Sequence, residues 1–252
     1  MRLNLSKSMK HIPFFWLFLL GLQPANAQKV FKPVERHWEA GFMFGMSSYS
    51  GDLAEKHIDI SETGLSYGAF VRYFLNPKWA VKGHLYAGAI SGDDANAKDP
   101  ERRQRSLRFG TNLFEVAVVG EWHILGKNRF SKIGDYKSFV SPYVYAGVGG
   151  VFGGPKTEYY GPPDQRDIFL TGPFPETGLN QTILIIPVGI GLRYDLNERF
   201  ILGLEIGCRP LFTDKLDGVS LNGNPNRKDW YYFGGATIAF ILGQPKNITS
   251  AY

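Results

Sequence analysis

The sequence predicts an all-β protein, a transmembrane antiparallel β-barrel of about eight strands, and three observations carry that prediction. Apolar residues alternate with polar or small ones in eight stretches, which is the period of strands and not of helices. Tight turns and long polar loops follow one another between those stretches. Past the N-terminal segment, no apolar run approaches the roughly 20 residues of a membrane helix. The longest, Ile183 to Leu192, is broken by Pro187, Gly189 and Gly191. Without such helices a chain crosses a membrane only as a closed barrel, because closure pairs every backbone group away from water.

The stretches lie near 37–49, 63–75, 79–90, 107–124, 139–152, 181–195, 200–212 and 230–242. Leu75-Asn76-Pro77-Lys78 joins the second to the third, and Asp195-Leu196-Asn197-Glu198-Arg199 joins the sixth to the seventh; both consist of turn formers. The connections at 50–62, 91–106, 153–180 and 213–229 are long and polar, and only 125–138 breaks the rhythm. An even strand count puts both ends of the mature chain with the short turns, on the periplasmic side.

The N-terminus sets the compartment. Arg2, Lys7 and Lys10 precede a short apolar core, Pro13 to Leu22, and Ala25-Asn26-Ala27 offers a small-x-small cleavage site before Gln28. This is the pattern of a cleavable signal peptide over residues 1–27, leaving 28–252 as one barrel domain. No cysteine stands at the cleavage point to take a lipid. Removing the segment takes away three cations and no acid, so the formal net charge falls from +5 to +2. The basic balance is therefore mostly that of the signal, which argues against a nucleic-acid partner. Cys208 is the single cysteine, so no internal disulfide staples the fold.

Sorting each stretch by alternate positions separates the charges. One face carries Trp38, Phe42, Phe44, Leu65, Val71, Leu85, Val116, Val118, Ile190, Leu192, Leu202, Leu204 and similar residues, none charged. The other carries Glu39, Arg72, Lys82, His84, Glu115, Glu121, His123, Arg193, Glu205 and Arg209, interleaved with glycine. The fifth and eighth stretches do not sort, and their faces stay open. Trp38, Tyr73, Trp79, Trp122, Tyr194, Phe200 and Phe240 fall at the short-turn ends of their strands, as a headgroup layer selects.

A soluble exported barrel of the lipocalin kind is the alternative, with the uncharged face lining a cavity. Two features favour lipid outside. Glycines crowd the charged face, as a narrow interior requires. Glu39, Glu115, Glu121 and Glu205 also balance Arg72, Lys82, Arg193 and Arg209, as buried charges must. These eight read as a network that fills the lumen of a barrel with little spare interior.

Chemistry is sparse. His84, His123, Glu115 and Glu121 are the pieces a lipid A-modifying barrel enzyme would need, but nothing in the sequence places a serine nucleophile beside them. No catalytic residue, cofactor or metal site is expected; His37 and His57 alone do not suggest one. Asn247-Ile248-Thr249 is an incidental sequon in a bacterial tail. The connection at Asp93 to Arg105 is acidic first and basic afterwards, and reads as a solvated outer loop or a docking surface. The 125–138 turn carries Lys127, Arg129, Lys132 and Lys137 against Asp135, which makes those four cations candidate partner contacts.

Ordered motifs run along the chain. Tyr49-Ser50-Gly51-Asp52-Leu53 follows the first strand, and Arg72-Tyr73 precedes Asn76-Pro77-Lys78-Trp79. Arg105-Ser106-Leu107-Arg108-Phe109, Gly120-Glu121-Trp122 and Pro142-Tyr143-Val144-Tyr145-Ala146-Gly147-Val148-Gly149 come after. In this order, from about Trp38 to Phe240, they resemble PorG-like outer-membrane proteins of Bacteroidetes. The resemblance implies a barrel component of the type IX secretion and gliding apparatus. Its implied partners are outer-membrane lipid and a periplasmic ring made of a lipoprotein and a soluble subunit. The resemblance carries no catalytic residues. A general structural or adhesion barrel is the alternative function.

Overall fold

A sheet in hydrocarbon must leave no unpaired edge, and these strands meet that demand by closing on themselves. The computed structural model describes residues 36–50, 63–97, 99–129, 136–154, 156–166, 181–211 and 230–242. The signal segment, residues 28–35, Gly51-Asp52-Leu53, His57, Lys132, the 213–229 loop and the 244–252 tail all lie outside the described residues.

Ten strand segments are present: β1 (His37–Ser50), β2 (Thr63–Asn76), β3 (Trp79–Asp93), β4 (Leu107–His123), β5 (Val140–Gly153), β6 (Lys156–Tyr159), β7 (Gln181–Ile185), β8 (Val188–Asp195), β9 (Phe200–Pro210) and β10 (Trp230–Leu242). They make eight staves. The short β6 continues the pairing of β5 along β4, with Leu107 opposite Tyr159. In the same way β7 continues β8 along β5. The sixth predicted stretch splits there because Pro187 has no N–H to give the ladder; its carbonyl still accepts from Gly147 N at 3.0 Å. Each stave pairs antiparallel with its sequence neighbour, and β1 closes the ring on β10 with Trp38 opposite Leu242.

Two asparagines shape the tight turns. Asn76 Oδ1 accepts from Lys78 N at 2.9 Å and Trp79 N at 3.1 Å, and Asn197 Oδ1 accepts from Arg199 N and Phe200 N at 2.9 and 2.8 Å. A side-chain oxygen thus satisfies the two amides that the reversal leaves unpaired.

Outward positions are apolar from the turn end through the middle of every stave, and polar ones such as Ser91, Arg108, Asn112 and Glu158 appear only towards the long loops. Trp38 packs on Tyr73 with ring centroids 4.6 Å apart, Trp79 on Trp122 at 6.3 Å, and Phe200 stands opposite Phe240. These form an aromatic girdle at the turn end. The two unsorted stretches resolve here. In β5, Val140, Val144, Val148 and Phe152 point out while Tyr143, Tyr145 and Val151 point in. In β10, Trp230, Ile238, Phe240 and Leu242 point out while Tyr231, Phe233 and Ala239 point in. An apolar exterior around buried charges is the polarity of a barrel in lipid, not of a lipocalin-like one. Barrels built this way belong to outer membranes.

The lumen is packed in two zones. Towards the long loops it is apolar, with Met43, Tyr86, Leu113, Val151, Tyr231 and Phe233 among the buried cluster. Towards the turns it is charged. Tyr143 and Tyr145 lie inward across glycines of the neighbouring strand, their direct partners on β8: a Cβ on Gly191 would collide with the Tyr143 ring, and one on Gly189 would meet the Tyr145 ring at 2.5 Å. Those two glycines admit the rings by having no side chain.

Candidate functional site: the charged lumen and its turn-end mouth

Strand pleat aims Glu39, Arg72, Lys82, Glu115, Glu121, Arg193, Glu205 and Arg209 into the interior, where all eight are buried. Seven of the salt-bridge contacts among the lumen side chains link into one path of alternating sign. Glu205 Oε2 lies 2.6 Å from Lys82 Nζ, which lies 3.3 Å from Glu121 Oε1. Glu121 Oε2 is 2.7 Å from Arg72 Nε, and Arg72 Nη1 is 3.1 Å from Glu39 Oε2. Glu39 Oε1 is 2.7 Å from Arg193 Nη2, whose Nε is 2.6 Å from Asp195 Oδ1. Asp195 Oδ2 completes the path 2.6 Å from Arg129 Nε. Several links span the lumen, β9 to β3 and β1 to β8, so they tie opposite walls together.

Arg209 and Glu115 form a separate pair at 3.1 Å. Glu115 also accepts from Tyr231 Oη at 2.7 Å, and Tyr143 Oη donates to Glu205 at 2.8 Å. Aromatic faces cover the cations: Lys82 Nζ sits 4.8 Å from the Tyr145 ring centroid and the Arg193 guanidinium 4.7 Å from that of Phe74. Such contacts compensate part of the desolvation that a buried cation suffers.

Asp195 and Arg129 join this network, although sequence reasoning placed Arg129 in a connection and Asp195 where the 181–195 stretch meets its turn. Asp195 is the last residue of β8, as the end of that stretch predicts. Arg129 is a correction. It is only 3% exposed, and besides Asp195 its Nη2 donates to the carbonyls of Asn197 and Glu198 at 3.2 and 3.0 Å. An arginine held inside the barrel mouth is not a surface contact for a partner. The Arg129 carbonyl accepts from Lys137 N at 2.9 Å, so the described ends of the 125–138 connection meet at this residue. Lys127 and Lys137 are exposed. The signal that would have found the plug was the inward parity of Asp195, two residues past Arg193 on the same strand.

The histidines are packed side chains. His84 Nε2 is 2.7 Å from Glu115 Oε1, and its ring stacks on Tyr86 at 4.1 Å. His123 Nε2 is 3.2 Å from Glu121 Oε2, and the fold brings Ser141 to its other side, Oγ 3.4 Å from Nδ1. Sequence reasoning missed Ser141 because β5 could not be phased. This Ser–His–Glu line lies inside the wall, with Ser141 2% and His123 1% exposed. Among the described residues no group of three His, Cys, Asp or Glu could hold a metal ion.

At the loop end Asp94 and Arg105 of the 91–106 connection pair with each other. A 3-10 turn (Asp94–Asn96) leads to α1 (Pro100–Arg105). The Asp94 carboxylate receives Arg105 Nε and Nη2, each at 2.9 Å, and the Leu107 amide at 3.1 Å. Tyr160 donates to Asp93 at 3.1 Å; partial burial and that carboxylate push its hydroxyl up to about 12. The acidic-then-basic order thus folds the loop back on its own strands.

The family described as Domain of unknown function (DUF6089) matches residues 27–250. The chain belongs to that family. No curated protein matches the sequence. Among solved structures, this DUF6089 member is similar to Ail, the attachment invasion locus protein of Yersinia pestis, at 14% identity and a TM-score of 0.41, over 82% of this chain and 99% of that one. OprG of Pseudomonas aeruginosa matches at 10% identity and 0.41, over 84% and 99%. A major outer membrane protein of Thermus thermophilus matches at 12% identity and 0.40, over 82% and 100%. Likenesses this distant carry no functional information.

Proposed function

We propose that this chain is a non-enzymatic outer-membrane component of the type IX protein secretion apparatus, and that it contacts the periplasmic ring of that machine through its turn end. The ordered motif resemblance from Trp38 to Phe240 carries the reading. The geometry fits it in two ways. A lumen filled by paired charges and rings leaves surfaces, not a pore, for the protein to act through. The first and last strands also end side by side at the turn end, beside the exposed Lys127 and Lys137. On this reading both mature termini are periplasmic, and Lys127, Lys137 and Lys132 meet an acidic patch on the ring, where surface charge mainly sets encounter rate and specificity. Reversing Lys127 and Lys137 to Glu is expected to abolish most capture of ring subunits in a pull-down from envelope extract, while the barrel stays folded. Capture by the reversed variant equal to wild type would remove this turn from the interface. Absence of any secretion component from the wild-type capture would remove the assignment, leaving a structural or adhesion barrel.

A closed lumen has its own test. The purified protein in planar bilayers is expected to show no steady, porin-like conductance. Large stable openings would show that the charged path does not plug the interior.

A second reading, a lipid A-modifying enzyme, has one observation in its favour, the Ser141–His123–Glu121 line. Acyl chains of lipid A lie outside the wall and these side chains inside it, so the non-enzymatic reading is preferred. Mass spectra of lipid A from a Ser141→Ala strain decide the point, and an altered profile would reverse the preference.

A further inference from the structure

Inside the turn-end mouth, beside Lys127 and Arg129, a cavity of about 20 Å³ remains. Phe74 and Phe139 form its apolar side, and its polar side consists of Arg193, Arg129, Lys127, His37, His123 and Ser141. Among the described residues no carboxylate lines it. Glu39 and Asp195 are engaged on other nitrogens of the same arginines, at 2.7 and 2.6 Å from Arg193. Arg193 is 4% exposed, and its Nη1 has no hydrogen-bond partner among the described residues; neither has His37 Nδ1. A buried donor left unpaired is costly, and more so on a charged group. The space suffices for one species of about water size, since one water needs roughly 10–15 Å³ of such volume. A tetrahedral oxyanion does not fit.

We propose that this pocket binds one small monovalent anion of chloride size, held by Arg193 and Arg129 with the Ser141 hydroxyl as a further donor and with the exposed Lys127 at its rim. Water satisfies a donor equally well; the alternating path is itself neutral, four acids against four cations, so the positive charge in excess at this cavity is that of Lys127, and it favours an anion over water. The anion joins groups from β5, β8 and the segment carrying Lys127 and Arg129, and so fastens those two residues to the barrel.

Crystals of the refolded protein grown in sodium bromide test the assignment through anomalous scattering. Melting curves in chloride, bromide and methanesulfonate at matched ionic strength supply the second measurement. A bromide peak within hydrogen-bonding distance of Arg193 is expected, with saturable stabilisation by chloride and bromide and none by the bulkier methanesulfonate. Lys127→Gln is expected to weaken the halide midpoint by roughly tenfold, the loss of one charged partner. Ser141→Ala, which leaves every ion pair in place, serves as a second variant with a smaller shift in the same direction. A water in the cavity without anomalous signal, or melting temperatures equal in all three salts, would overturn the proposal.

Discussion

Replacing Glu121 by alanine is expected to lower the stability of the folded barrel by about 3–5 kcal/mol, the usual cost of removing one partner from a buried ionic group. Glu121 is fully buried on β4, with Arg72 at 2.7 Å and Lys82 at 3.3 Å. Its loss leaves Arg72 with Glu39, which Arg193 shares, and Lys82 with Glu205 alone. His123 loses its contact as well, at 3.2 Å. Glu121→Gln keeps the volume and one acceptor oxygen, and a smaller loss is expected from it. Urea unfolding in lipid vesicles, followed by tryptophan emission, measures both. A loss for the alanine variant below about 1 kcal/mol, the range of solvated pairs, would mean that water reaches the lumen and screens it.

The second large effect lies on the opposite face. Leu204 sits mid-strand on β9, 59% exposed at the protein surface and flanked by Leu192 and Ala236. Leu204→Arg is expected to cost about 2–4 kcal/mol in vesicles, because a charge is carried to the middle of the hydrocarbon. Phe200→Arg, in the girdle at the strand's end, is expected to cost only about 0–1 kcal/mol, since the guanidinium there reaches the headgroups. The depth dependence is the decisive part. Equal costs at the two positions would indicate that no membrane surrounds this face.

Much of this was legible in the residues. Strand ends such as Trp79, Phe200 and Trp230 were placed within a residue or two, because period-2 alternation and turn chemistry at Asn76-Pro77 and Asn197 act locally. The inward parity of Glu39, Arg72, Lys82, Glu121 and Arg193 followed from the same alternation, since a pleat permits only two faces. The aromatic girdle followed from where the large rings fall along each strand.

Other features depended on contacts between distant parts of the chain. The faces of β5 and β10 were invisible because their inward residues are Tyr143, Tyr145, Tyr231 and Phe233, which are as apolar in pattern as their outward ones. What turns them inward is the room opened by Gly189 and Gly191 on the strand paired with β5 and the acceptors Glu205 and Glu115 within the lumen. The pairing of Lys82 with Glu205 joins residues 123 positions apart, and only barrel closure sets which walls oppose. Arg129 stands in a basic turn that alone reads as a solvated surface; Asp195 and two free carbonyls at the mouth draw it inside. The sequence by itself determined the staves, their number and which charges turn inward, because those are properties of neighbouring residues. Only the tertiary structure decided which charges meet, which end of the lumen is apolar and which cation closes the mouth, because each of those is a distance across the barrel.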